Sequence, residues 1–213
     1  MIDFLGFVFL IAGLLMLAGR ITHNNITLLA IQSLALSTLA FYLGLSGGEI
    51  VWHMVIVGVL TLVVKVIVLP RVLYQLVNKM AIHREVSLSV GLVPSILMGV
   101  LLVGLTYFYV VPILLKGIPV ENQLLSVALS TVLLGCFFMT SRRSALSQLL
   151  GVIVMENGLF LSGVAVTGGM PLIIELGIFF DLLVGVMVMG LLTNQIKDTF
   201  DTLDTKFLNK LKG

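Results

Sequence analysis

Charge is scarce in this sequence. Asp, Glu, Lys and Arg make up only 10% of its 213 residues, where a soluble domain carries about 25%. So thin a polar inventory argues against an ordinary soluble globular protein. Cysteine is scarcer still: Cys136 stands alone, inside an apolar run, which excludes a disulfide framework and a thiolate metal centre. His23, His53 and His83 lie far apart and lack metal-ligand spacing, so they read as interfacial histidines. No nucleophile and base stand in a recognisable constellation. The expectation is a chain that is not an enzyme and holds no metal or cofactor, with any electron transfer located in another chain. Alternating apolar and polar residues are also missing, which argues against a membrane β-barrel.

Present instead are continuous apolar runs. Hydrophobic residues make up 59% of the chain, in stretches close to the roughly 20 residues that a helix needs to cross the hydrocarbon layer. Inside lipid every backbone polar group needs an internal partner, so such runs form helices. They predict an all-α, polytopic integral membrane protein with about seven transmembrane helices, over 3–19, 26–45, 50–76, 88–111, 122–140, 145–166 and 172–195. Asp3 stands where a signal peptide would carry positive charge, and no small-residue cleavage site follows. The first run therefore reads as a span, although a short one. Together these spans form one transmembrane domain over 1–195, followed by a tail over 196–213.

Cationic residues set the orientation. With seven spans, Arg20, Arg71, Lys79, Arg84, Arg142, Arg143 and the tail lysines all fall on one side, and Lys116 falls on the other with Glu49 and Glu121. Positive residues mark the cytoplasmic side, which puts the N-terminus outside and the C-terminus in the cytoplasm of a prokaryotic cell, in its inner membrane. Tyr42, Trp52, Tyr107 and Tyr109 then fall near the outer interface, where aromatic rings favour the headgroup region. In the tail, Ile196, Phe200, Leu203, Phe207 and Leu211 recur at helical spacing. That amphipathic stretch suits docking on a partner better than a lipid surface, because three aspartates dilute its lysines.

Four ionisable residues interrupt the predicted spans: Lys65, Glu156, Glu175 and Asp181. Each costs about 2.5–3.5 kcal/mol at a helix centre, so each must face protein or water, pair, or change its protonation. Glu156 lies at the midpoint of the sixth span, and helical geometry predicts an inward stripe of Gln148, Val152, Glu156, Leu159 and Gly163. A carboxyl there suits reversible proton binding; a fixed interhelical hydrogen bond is the structural alternative. Asp181 has Gly177 and Gly185 one turn to either side, which leaves room for water or for a packed neighbour. Glu175 is nearer the outer end, where hydration would satisfy it. Lys65 reads either as a snorkelling amine on the cytoplasmic side or as a buried partner of a carboxylate. In the second span, Ser33, Ser37, Ala40 and Gly44 form a stripe with Gln32 beside it, suited to polar helix packing or to a water path.

These residues stand in motifs that carry a resemblance. Lys65-Val-Ile-Val-Leu-Pro70, Gln148-Leu-Leu-Gly151 leading to Met155-Glu156-Asn157-Gly158, and Glu175-Leu-Gly-Ile-Phe-Phe-Asp181 resemble component E of hydrogenase-4, a membrane subunit of formate hydrogenlyase-type complexes. The resemblance runs over essentially the whole chain, including Thr202-Leu-Asp and Leu211-Lys-Gly of the tail. The C-terminal half is also similar to the K-type subunit of complex I and the C-type subunit of multisubunit cation/proton antiporters. Arg142-Arg143, Gly151, Asn157, and Asp181 followed by Gly185 carry that likeness. Where the K-type helix has its glutamate, two residues after the glycine, this chain has Ile153; Glu156 follows one turn later. The resemblance implies a non-catalytic piece of a membrane arm in a hetero-oligomeric complex. Glu156, Asp181, Lys65, Glu175 and Asn157 would serve proton movement driven by redox chemistry in neighbouring subunits. Two alternatives stay open: a structural or assembly subunit without ion conduction, and a small subunit of a cation/proton antiporter module. A self-contained transporter is disfavoured, because no paired Gly/Pro-broken helices mark a midplane substrate site.

Overall fold

The computed structural model describes residues 1–19, 22–46, 50–79, 91–116, 122–142 and 144–167, together with Phe179, Leu183, Gly185, Val186 and Gly190. Every regular element among them is a helix. In chain order these are α1 (Ile2–Ala18), α2 (Thr22–Leu45), α3 (Trp52–Thr61), α4 (Leu69–Lys79), α5 (Leu92–Leu105), α6 (Val111–Leu114), α7 (Asn122–Ser141) and α8 (Ala145–Thr167). A π-helical stretch, Leu62–Val68, fuses α3 to α4, and another, Thr106–Val110, fuses α5 to α6. Five of the resulting helices are long and apolar enough to cross a membrane: Thr22–Leu45, Trp52–Gln75, Leu92–Leu114, Gln123–Ser141 and Leu146–Val166. At 17 residues, α1 is shorter and extends about 25 Å, yet Phe9, Ala12, Met16 and Leu17 bury it in the same bundle. All but a few residues of the expected seventh span, and the whole tail, lie outside the described residues.

Two helix starts differ from expectation. The second helix begins at Thr22 rather than 26, because its polar first turn is satisfied locally: Asn25 Nδ2 donates to the Gly19 carbonyl at 3.3 Å. The fourth helix begins at Leu92 rather than 88. Pro94 falls in its first turn, where a missing N–H costs nothing, and Ser95 Oγ donates back to the Gly91 carbonyl at 2.9 Å.

The two π turns share a cause. Pro70 and Pro112 each lie two residues beyond one. Proline has no N–H to give, and its ring collides with the carbonyl four residues earlier. Widening the turn relieves that collision. The backbone N–H groups of Leu69 and Val111 reach five residues back instead, to the carbonyls of Val64 and Thr106. Such turns are uncommon inside helices and recur at functional sites.

Among the described helices, the most intimate contact is between α7 and α8. Gly135, Gly151 and Gly158 bring the two backbones together. A methyl group added at these positions would stand 2.5 Å from Met155 N, 2.8 Å from Met139 N and 2.7 Å from Val132 N, respectively. Close backbone approach through small residues is how membrane helices gain packing energy, because lipid offers no hydrophobic drive between them. At the far end of α7, Arg142 turns inwards: its Nη2 donates to the Leu17 carbonyl at 2.7 Å, and its guanidinium lies 4.8 Å from the Phe138 ring centroid. Burial pulls its pKa down to about 10, which leaves it a cation at neutral pH. It caps the negative C-terminal end of α1.

Val111, Leu115 and Leu125 form a small apolar cluster, and two large ones hold most of the buried apolar side chains. One joins Met16, Leu17, Ile26, Leu29, Leu73, Phe138, Leu150 and Ile153. The other joins Phe9, Leu36, Leu39, Val57, Ala128, Phe160 and Leu161. Polar residues occupy the level between them.

Gly135→Ala should force α7 and α8 apart and destabilise the protein by about 1–3 kcal/mol, seen as a lower midpoint of thermal unfolding in detergent. Gly104→Ala, where a methyl group meets nothing within 4 Å, should leave that midpoint unchanged or raise it.

Candidate functional site

The level between the clusters is the centre of the spans. Gln32 and Ser33 stand in the middle of Thr22–Leu45, Lys65 near the middle of Trp52–Gln75, and Glu156 and Asn157 at the middle of Leu146–Val166. All five are buried. The Leu62–Val68 π turn has Lys65 at its centre.

Lys65 and Glu156 form an ion pair, with Lys65 Nζ donating to Glu156 Oε1. Lys65 Nζ also donates to Asn157 Oδ1 at 3.0 Å and lies 4.7 Å from the Phe179 ring centroid. With exposures of 2% for Lys65 and 7% for Glu156, the pair is shut off from the outside. Snorkelling is therefore not what Lys65 does; a carboxylate within reach satisfies the ammonium more completely than a stretch to the interface.

Asn157 extends the pair into a network. With its Oδ1 taken by Lys65, its Nδ2 donates to Gln32 Oε1 at 3.2 Å and to Ser33 Oγ at 3.3 Å. Gln32 Nε2 in turn donates to the Phe9 carbonyl at 3.4 Å. The chain of contacts thus runs from the π turn through α8 and α2 to α1. It fixes which way the Asn157 amide faces, because only its oxygen can receive the ammonium. Ser37 Oγ donates to the Gly58 carbonyl at 2.8 Å, and Ser33, Ser37, Ala40 and Gly44 are all buried. The expected stripe of α2 is thus a packing face.

The stripe expected on α8 needs correction. Leu159 is 44% exposed, and Gln148 is exposed as well. The buried arc is centred instead on Leu150, Ile153, Asn157, Phe160 and Val164, the side on which α7 and α2 pack. Glu156 lies at its margin, turned towards the π turn. Beside it, a cavity of about 270 Å³ is walled by Val64, Val68, Leu69, Phe179, Leu183 and Val186, with the stems of Lys65 and Glu156. Glu156 Oε2 is buried and has no hydrogen-bond partner among the described residues. Glu175 and Asp181 lie outside the described residues. Among the described residues no group of three His, Cys, Asp or Glu is placed to hold a metal ion.

Gln32 and Ser33 are members of the network that sequence reasoning did not assign to it. Their mid-span position, shared with Lys65 and Asn157, is the signal that would have found them.

Fold and site together define an α-helical protein with several helices long and apolar enough to cross a membrane and a charged pair at their centre. No protein family and no solved structure matches the chain. It is similar along its whole length to Rv0085, an uncharacterized protein of Mycobacterium tuberculosis (strain ATCC 25618 / H37Rv). Identity is 29% over 213 residues, which cover all of this chain and 96% of that protein.

Removing one partner of a buried ion pair strands the other. Lys65→Met alone should cost about 3–5 kcal/mol, and Lys65→Met combined with Glu156→Leu should recover most of it. Unfolding of these two variants and of Glu156→Leu alone in detergent checks this; a double variant as unstable as the sum of the single ones would show that the residues are not coupled.

Proposed function

We propose that this chain is a non-catalytic membrane-arm subunit of a hydrogenase- or formate hydrogenlyase-type complex related to complex I. In that role it contributes Lys65, Glu156 and Asn157 to a proton pathway driven by redox chemistry in neighbouring subunits. The observation that supports this most is the Lys65–Glu156 pair at mid-span. Glu156 accepts a proton and becomes a neutral acid, and Lys65, having lost its counter-charge, releases one onward to become a neutral amine. The site carries no net charge before or after, so no uncompensated ion is left in hydrocarbon. Asn157, held by Gln32 and Ser33, keeps Lys65 Nζ in place through both states, since its Oδ1 can accept from an ammonium or from a neutral amine. Glu175 and Asp181 extend the pathway on the seventh helix in this reading.

The topology that goes with it has seven spans in a prokaryotic inner membrane, the N-terminus outside and the tail over 196–213 in the cytoplasm. Other membrane subunits pack around the bundle, and no nucleic acid is involved.

A second reading has its own support. The cavity beside the pair has almost wholly hydrocarbon walls, and Lys65 is fully engaged. That arrangement also suits a charge lock that joins helices and conducts nothing.

One experiment separates the two: the complex, purified with its partner subunits and reconstituted in liposomes, carrying Glu156→Gln or Asp181→Asn. For a relay, assembly and redox turnover should persist while proton movement falls at least about tenfold, each tenfold corresponding to about 1.4 kcal/mol on the barrier. For a lock, the yield of complex should fall with Glu156→Gln, and the remaining complex should move protons normally. Topology is checked in a Cys136→Ala background. An impermeant maleimide added outside intact cells should label Lys116→Cys and leave Lys212→Cys unlabelled until the membrane is opened; the reverse pattern would invert the orientation.

A further inference from the structure

A second cavity is more polar at its rim than the first. About 200 Å³ in volume, it opens between the start of α1, the Thr106–Val110 π turn and the start of α7, with Asp3, Tyr107 and Gln123 on its wall. A smaller cavity of about 130 Å³ adjoins it and shares Tyr107 and Gln123, so the two form lobes of one groove around the π turn. Its floor is apolar: Gly6, Leu10 and Val127 lead from the polar rim towards the hydrocarbon layer.

The depth of the groove follows from the helices that build it. Asp3 is in the first turn of α1 and Gln123 in the first turn of α7, so the polar rim stands where the helices enter the membrane. Phe7, itself 60% exposed, lines the groove on its outer side. An apolar floor that runs out to so exposed a ring suits an amphiphile with its headgroup at the rim and its chain along the bundle.

The rim chooses the headgroup. Asp3 brings a carboxylate, Gln123 a carbonyl oxygen and Tyr107 a phenolic oxygen, three acceptors on one wall, with no lysine or arginine among the described lining residues. A headgroup with only anionic charge would meet like charge in Asp3. An ammonium ion meets a charge-assisted partner in Asp3 and an aromatic face in Tyr107. A primary ammonium carries three N–H donors to match the three acceptors, whereas a quaternary ammonium has none to offer.

We propose that this groove is a binding site for a membrane lipid with a primary ammonium headgroup, of the phosphatidylethanolamine type. The ammonium is held by Asp3, Tyr107 and Gln123, and an acyl chain lies along Gly6, Leu10 and Val127. The site is remote from Lys65 and Glu156 and independent of the proton-relay reading. Its π turn serves it directly, because the widened backbone carries Tyr107 into the groove.

The test uses the full chain in detergent, titrated by native mass spectrometry with phosphatidylethanolamine, phosphatidylcholine and phosphatidylglycerol of identical acyl composition. Phosphatidylethanolamine should bind about tenfold tighter than the other two, a difference of about 1.4 kcal/mol. Asp3 is exposed, so Asp3→Asn should keep the fold and bring all three lipids to one affinity, and Tyr107→Phe should reduce the preference in part. Equal binding of the three lipids to the unaltered chain would overturn the proposal, as would a preference for phosphatidylglycerol or a preference that survives Asp3→Asn.

Discussion

A lysine and a glutamate buried together at the centre of the spans constrain everything around them. Neither can be left alone in a medium that solvates no charge, so the helices that carry them must stay in register. Around the pair, the two large apolar clusters of the bundle lie with the polar level between them. Asn157 translates the requirement to the helices that carry no charge, because its amide engages Lys65 on one side and Gln32 and Ser33 on the other. A polar network complete on nearly every atom specifies one arrangement of helices more sharply than apolar packing does.

Much of the fold was legible in the sequence. Runs of apolar residues long enough to cross a bilayer, with polar breaks between them, admit few structures other than helices; the first six expected stretches overlap described helices, and the seventh lies outside the described residues but for a few positions. The site was legible in part. Lys65 and Glu156 stood out because charge inside an apolar run is costly, whichever residues surround it. Their pairing was not legible, since nothing along a single chain says that residues 91 apart meet. The face of α8 was misjudged for a related reason: glycines at Gly151 and Gly158 let α7 approach so closely that the buried arc rotated onto Asn157, leaving Leu159 outside. A stripe drawn from polarity alone cannot register a neighbour's backbone.

The relay and the lock draw on the same geometry and differ only in whether the proton leaves. Among the described residues Glu156 Oε2 has no partner, so the pair is asymmetric: one oxygen is held by Lys65 and the other is not. Such a carboxylate has a place for an incoming proton that does not first require the pair to break. The similarity to Rv0085 over the full length makes the sequence of that protein a natural place to ask which of these polar positions recur.

The π turn at Leu62–Val68 has a geometric consequence for the helix that contains it. Thr61, Lys65, Leu69, Leu73 and Val77 are all buried, and they follow one another at steps of four. In a regular α-helix each such step overshoots a full revolution by about 40°, so the last residue would drift about 160° from the first and point away from the bundle. A wider coil undershoots over the same step and cancels much of the drift. Pro70 thus acts as a phase corrector, keeping a single azimuth along a helix whose spacing would otherwise spiral out into lipid.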